Sequence, residues 1–184
     1  MLSFEVAQHT AKVLREGGVI AYPTEAVWGF GCDPFNETAV QKLIDIKQRP
    51  FEKGVLLVAD SIQRVEPWLK TLDQAIVKKM LATWPGPFTW VVPNNGVLPA
   101  IVTGGRETVA LRVSAHEGVK QICEAFDGLV VSTSANRSGE DAITSEAEIH
   151  RQFGTVLDYI VPGVLGGATS PSSIFDAISG QQLR

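Results

Sequence analysis

Lys47-Gln48-Arg49-Pro50 sets an ammonium and a guanidinium two residues apart, with Lys42 before them and Lys53 after. A guanidinium brings a planar fork of donors and an ammonium a point charge, a combination matched to polyphosphate oxygens. Cations at a helix C-terminus also complement its macrodipole by about 0.3–1 kcal/mol, so a structural reading stands beside the clamp. Ser132-Thr133-Ser134-Ala135-Asn136-Arg137-Ser138-Gly139 offers hydroxyls, an amide and a guanidinium where an apolar run ends. Strand ends in open α/β sheets are where ligands usually bind, although a capped turn uses the same residue types. Pro23-Thr24-Glu25 puts a hydroxyl and a carboxylate past another apolar run, a pair able to hold a small polar ligand. Trp28-Gly29-Phe30-Gly31 follows, with glycines that let backbone approach a ligand or that form a strained turn beside a core aromatic. In Thr108-Val109-Ala110-Leu111-Arg112, a strand's period of two puts Thr108, Ala110 and Arg112 on one face. An arginine there is costly unless paired, which requires a ligand carboxylate or a buried acid. Trp84-Pro85-Gly86-Pro87 fixes a rigid corner.

Several common chemistries are excluded. The chain has no phosphate-binding G-x-x-x-x-G-K-[ST], no G-x-S-x-G and no H-E-x-x-H, and Gly29-Phe30-Gly31 lacks the third glycine of a dinucleotide fingerprint. His9, His116 and His150 share no metal-ligand spacing, and Cys32 and Cys123 belong to no C-x-x-C pair. No protein-held metal, zinc site or disulfide framework is therefore expected, and the cysteines read as reduced buried thiols.

Short elements must position these groups. The pattern predicts helices over 4–16, from Asn36 to near Arg49, over 61–69, 73–83, 116–126 and 145–153. Ile76, Val77, Met80 and Leu81 are expected to face inward, and Ala39, Val40, Leu43, Ile44 and Lys47 ride on the helix that starts at Asn36. Strands are expected over 19–22, 54–59, 88–92, 109–113, 129–132, 156–161 and 173–176. Helices and strands interleave without a clean βαβ series, which points to one α/β domain over residues 1–184, a mixed twisted sheet with flanking helices.

Composition agrees. A chain of 184 residues with 45% hydrophobic and 20% charged residues builds a sizeable core and is not disordered. Its 16 Lys+Arg against 20 Asp+Glu give a net charge of −4, which argues against a surface that is wholly a nucleic-acid footprint and leaves room for a local basic patch. Met1-Leu2-Ser3-Phe4-Glu5 lacks the basic start of a signal peptide, and no apolar run approaches the ~20 residues of a membrane span. The expectation is a cytoplasmic protein with no membrane partner.

Taken in order, Pro23-Thr24-Glu25, Lys47-Gln48-Arg49-Pro50, Trp84-Pro85-Gly86-Pro87, Ala110-Leu111-Arg112 and Ser134-Ala135-Asn136-Arg137-Ser138-Gly139 resemble the YrdC-like family of threonylcarbamoyl-AMP synthases, in the single-domain TsaC form known from bacteria. K-x-R followed by S-x-N is the signature pair of that family. The resemblance implies a YrdC-like α/β fold with a large concave cleft. It implies a nucleotidyltransferase that makes L-threonylcarbamoyladenylate and pyrophosphate from L-threonine, bicarbonate or CO₂, and ATP. That product feeds t6A modification of tRNA through a downstream transferase complex. ATP is a substrate, Mg²⁺ accompanies its phosphates, and no organic cofactor is implied. Carried over by position, Lys47 and Arg49 are the catalytic cations. Lys47, Arg49 and Lys53 hold the phosphates, while Thr108, Ser134, Asn136 and Arg184 complete the ATP site. Arg112 grips the threonine carboxylate, with Thr24, Ser132 and Ser172 around the amino acid. The chain departs from many relatives at Ala26 (Thr there), at Val58 (His there) and at Ser172-Ser173-Ile174 (S-T-V there). An RNA-binding module that holds double-stranded RNA or tRNA at the basic rim, acting in ribosome or RNA maturation, is the alternative, and a carbamoyl-phosphate-handling domain is a third reading.

Overall fold

Side-chain caps begin several helices. Ser3 accepts from the Val6 amide ahead of α1 (Phe4–Arg15), and Asn36 accepts from the Ala39 amide ahead of α2 (Glu37–Lys47). Helix α3 spans Ile62–Leu69, and α4 (Gln74–Thr83) is capped by Asp73. Helix α5 is a four-residue turn, Ala100–Thr103, between Pro99 and Gly104. His116 caps α6 (Glu117–Phe126), and α7 spans Glu146–Phe153. A 3₁₀ turn covers Phe51–Lys53. The computed structural model describes all residues, Met1–Arg184. No helix is long and apolar enough to cross a membrane.

The strands are β1 (Ile20–Pro23), β2 (Trp28–Gly31), β3 (Leu56–Ala59), β4 (Phe88–Pro93), β5 (Thr108–Val113), β6 (Val130–Ser134), β7 (Tyr159–Ile160) and β8 (Ser173–Asp176). They form one eight-stranded sheet in the order β7-β1-β2-β6-β3-β5-β4-β8. The pairs β1–β7, β3–β5 and β4–β8 are parallel, and the other neighbours are antiparallel. The expected mixed α/β architecture is therefore the observed one.

Helix α5 has no counterpart in the sequence expectation, and four further elements differ from it. Trp28-Gly29-Phe30-Gly31, read as a glycine approach or a strained turn, is strand β2, paired with β1 and β6. Gly31 is required by crowding, since a Cβ there would lie 2.7 Å from the Val131 carbonyl oxygen and 2.8 Å from the Tyr22 ring. Leu81 is 40% exposed rather than inward, and Met80 alone of α4 is fully buried. Strand β6 runs on to Ser134, while β7 keeps only two residues of the expected run.

The two faces of the sheet are covered unequally. On one face Leu57, Ala59, Trp90, Val109, Leu111 and Val131 pack with α2, α3, α4, α5 and α7 through Leu43, Trp68, Met80, Val102 and Phe153. On the other, Ile20, Tyr22, Val58 and Val130 pack under Leu14 of α1 and Val119, Ile122 and Cys123 of α6. These two helices cover only part of that face. The segment 161–172 joins β7 at one edge of the sheet to β8 at the other. It is tied midway by the Gly166 amide to the Thr24 carbonyl (3.0 Å) and the Ala168 amide to the Glu25 carbonyl (2.8 Å).

Candidate active site

Where α1 and α6 stop covering the sheet, a cavity of about 590 Å³ opens. Its floor is the same strand face, now bearing Gly29, Leu56, Thr108, Ala110, Ser132 and Ser134. The alternation in β5 produces this division, because Val109, Leu111 and Val113 go to the core while Thr108, Ala110 and Arg112 face the cavity. Thr24, Arg49, Lys53, Thr108, Arg112, Ser132, Ser134, Asn136, Ser172 and Arg184 all line it, so the structure brings these expected site residues together.

Lys47 is different. It is 2% exposed and does not line the cavity. Its ammonium donates to the Ser134 carbonyl, to the Asn136 carbonyl (2.8 Å) and to Asn136 Oδ1 (3.2 Å), above the Phe30 ring. Ser134 Oγ donates to Asn136 Oδ1 (2.6 Å), and Asn136 Nδ2 donates to the Arg137 and Glu140 carbonyls. K-x-R and S-x-N thus meet as one locked loop, with the lysine beneath it. Burial, and then the Arg49 charge, pull the Lys47 ammonium down to about 7. Its burial had a sequence signal: Val40, Leu43, Ile44 and Lys47 fall at i, i+3, i+4 and i+7 of α2.

One end of the cavity is cationic. Arg49 donates through Nε to the Gly54 carbonyl (2.9 Å). Arg106, which the sequence reading did not single out, sits close enough to lower the Arg49 guanidinium further below its ordinary value, after burial. Gly104-Gly105 delivers it there. Gly104 has φ +68°, and a Cβ on it would stand 2.7 Å from the Gly54 nitrogen. Lys53 lies beside Arg49 and lines the cavity with it, while Arg184, also in the lining, donates to the Ser172 carbonyl (3.0 Å). Ser172 in turn shares a buried hydrogen bond with Thr89 (2.9 Å). Glu140 and Asp141 also line the cavity.

The other end carries an ion pair. Arg112 Nη2 lies 2.5 Å from Glu25 Oε1, with the side chains 11% and 16% exposed. Ser114 Oγ donates to the same Oε1 (2.6 Å), and Arg112 Nε donates to the Gly86 carbonyl of the Trp84–Pro87 corner (3.0 Å). The acid that the strand arginine required is thus Glu25, and the proline corner anchors the arginine. Thr24 Oγ1 donates to the Val27 carbonyl (2.7 Å), which closes the turn that presents Glu25.

The Sua5/YciO/YrdC family model, described as "Telomere recombination", matches residues 12–184. The chain belongs to this family. A threonylcarbamoyl-AMP synthase of Cellvibrio japonicus (strain Ueda107) is 49% identical over 176 residues, 96% of this chain and 93% of that protein. One of Pseudomonas aeruginosa (strain UCBPP-PA14) is 46% identical over 184 residues, covering 100% of this chain and 99% of that protein. Among solved structures, Sua5 of P. abyssi complexed with L-threonine superposes with a TM-score of 0.87 at 30% identity, over 92% of this chain and 50% of that one. The chain therefore spans about half of that Sua5. Of the departures from many members of the family, Ala26, Ser172 and Ile174 line the cavity, whereas Val58 does not. Val58 is the register partner of Arg112 but is buried with Tyr22, Ile122 and Val130 under α6.

Proposed function

We propose that this chain is a threonylcarbamoyl-AMP synthase, a nucleotidyltransferase that joins L-threonine, bicarbonate and ATP and releases pyrophosphate. The observation that carries this reading is one cavity lined at one end by the cations Arg49, Lys53 and Arg106 and at the other by a buried Arg112–Glu25 pair, with hydroxyls on the floor between them. The first end suits a triphosphate and the second a small amino acid. Full-length similarity to synthases of that name supports the assignment.

The chemistry needs little beyond positioning and charge. The threonine amine adds to bicarbonate or CO₂, and a carbamate oxygen attacks the α-phosphorus as pyrophosphate leaves. Both partners are anionic, so Arg49 and Lys53 bring them together and stabilise the charge that grows on phosphorus. Thr108, Ser134, Asn136 and Arg184 hold the rest of the nucleotide. Thr24, Arg112, Ser132 and Ser172 hold the amino acid. Lys47 serves the phosphates through the Ser134–Asn136 loop that it locks, rather than by direct reach. Substrates seated in this concave site would limit the access of water to the carbamate and the mixed anhydride.

Mg²⁺ would arrive on the ATP phosphates, since the chain has no cluster of three or more His, Cys, Asp or Glu able to hold a metal alone. Glu140 and Asp141 on the cavity wall fit the one or two carboxylates that Mg²⁺ takes beside substrate phosphates. A cavity of about 590 Å³ suits a nucleotide with a small amino acid.

The test is pyrophosphate release with ATP, L-threonine, bicarbonate and Mg²⁺, each omitted in turn, with mass detection of the adenylate. Release should require both threonine and bicarbonate and fall about 10²–10³-fold in Arg49→Ala, the usual cost of removing one transition-state donor. A folded protein with no release under any combination overturns the reading.

A further inference from the structure

The Glu25–Arg112 pair raises a question of economy. A buried ion pair recovers its desolvation only with good geometry and further hydrogen bonds, and replacing it by apolar residues is often neutral or stabilising. This pair is incompletely satisfied on both sides. Glu25 uses only Oε1, toward Arg112 and Ser114, and Oε2 has no hydrogen bond. Arg112 uses Nε for Gly86, while its Nη2, close as it is to Glu25, has no aligned hydrogen-bond partner. Both groups line the cavity. The cavity therefore holds, behind its wall, a buried guanidinium nitrogen with no aligned partner beside a carboxylate oxygen that is not hydrogen-bonded.

That pattern is complementary to a zwitterion. A ligand with a carboxylate alone would meet Glu25 as a like charge, and an amine alone would meet Arg112. An α-amino acid, with its ammonium and carboxylate on one carbon, satisfies both at once and leaves no charge unpaired. Glu25 is also held for such a task. Its backbone carbonyl is tied by the Ala168 amide, its carboxylate by Ser114, which is fully buried.

We propose that Glu25 binds the α-ammonium group of L-threonine and accepts its first proton. This rests on the synthase reading of the cavity. The ammonium gives one proton to the Glu25 carboxylate and becomes a free amine. The amine nitrogen then forms its bond to the bicarbonate carbon. The bicarbonate hydroxyl leaves as water with the second nitrogen proton, giving the carbamate, which keeps the third. Glu25 returns its proton to solvent before the next turnover. Arg112 holds the amino acid's carboxylate through the same steps, so the pair opens around the substrate.

The experiment compares binding of L-threonine with that of (2S,3R)-2,3-dihydroxybutanoate, its analogue with a hydroxyl in place of the ammonium, by calorimetry. The wild-type chain should prefer threonine by about 10- to 100-fold, the span of one hydrogen bond between charged groups. Equal binding of the two overturns the proposal without any variant. In Glu25→Gln the preference should vanish, with threonine weakened while the analogue binds unchanged or more tightly because Arg112 is released. If both ligands change by one common factor, Glu25 acts only on Arg112 and the proposal fails. In turnover, Glu25→Gln should acquire a rate that climbs about tenfold per pH unit from 7 to 9, following the free amine, and Glu25→Asp should restore a flatter profile. A Glu25→Gln profile that parallels wild type overturns the proton-acceptor role. Adenylate formation by the wild type reports separately on the synthase reading: if it occurs and the two ligands bind equally, only the Glu25 assignment falls.

Discussion

Strand β6 changes character within its five residues. Val130 packs among Tyr22, Val58 and Ile122 under α6, while Ser132 and Ser134, on the same face of the same strand, line the cavity. The neighbouring strands show the same border. Val58 of β3 is buried, and its register partner Arg112 of β5 is in the wall of the cavity. The hydrogen-bond ladder continues across the border, so strand geometry is not what separates the two regions. Cover separates them. Under α1 and α6, each apolar side chain removed from water contributes at about 25 cal/mol per Å². Beyond them, groups such as Thr108 and Lys53 keep solvent or a ligand as their partner and cost folding little. One half of the face holds the sheet to its helices, and the other is left free for chemistry, so substitutions in the two halves should affect different observables.

The largest effect should come from breaking the covered half. Ile122→Ala removes a side chain that is 2% exposed between α6 and the sheet, and should cost about 2–5 kcal/mol of stability. The folded fraction should keep its KM values for threonine and ATP within about twofold, because Ile122 lines no part of the main cavity. Urea unfolding and steady-state kinetics on one preparation measure both. A large KM change with unchanged stability would erase the border.

A smaller effect belongs to Lys47, which sits where the core meets the open loop. Its folded pKa, about 7, lies below the ordinary 10.5, so between those values the unfolded chain binds the extra proton. Stability should therefore rise with pH from about 7 towards 10.5, by at most about 1.4 kcal/mol per unit, and the penalty should be fully present below about 7. Lys47→Met, which has nothing to titrate there, should lack that slope. Urea midpoints at pH 7 and 9 for both proteins test it, and parallel pH responses would place the titrating group elsewhere.

How much of this was legible in the sequence follows the range of the interactions. Local signals carried the helices: Ser3, Asn36 and Asp73 cap where side-chain chemistry says they should, and β8 occupies the expected run. Helix α5 was invisible because four residues hold no periodicity. Strand β2 was hidden because its glycines answer to Tyr22 and Val131, which only the folded sheet brings against them. In the site, the period of two in β5 put Arg112 on a polar face and showed that it needed a partner, but not that Glu25, on a distant turn, would be that partner. Arg106 escaped notice because its place depends on Gly104 packing against Gly54. Lys47 shows the opposite case, where the helical pattern that carries the motif already placed it inward.

The sharpest form of the comparison is a reciprocal exchange across the border. Val58 and Thr108 lie on the same face of the neighbouring, parallel strands β3 and β5, and valine and threonine are nearly equal in volume. Val58→Thr puts a hydroxyl among Tyr22, Val130 and Cys123, where no solvent reaches it, and should cost about 1–3 kcal/mol with little effect on turnover. Thr108→Val removes a hydroxyl that has no partner within the chain and stands in the cavity, so stability should change by less than about 0.5 kcal/mol. Its effect should appear instead as a rise of about 2- to 10-fold in the KM for ATP, the worth of one neutral hydrogen bond, with the KM for threonine unmoved. Urea unfolding and the pyrophosphate-release assay on the two variants read both axes. Equal destabilisation by the two exchanges would mean that the face is uniformly packed, and that the hydroxyls beyond α6 hold the fold rather than a nucleotide.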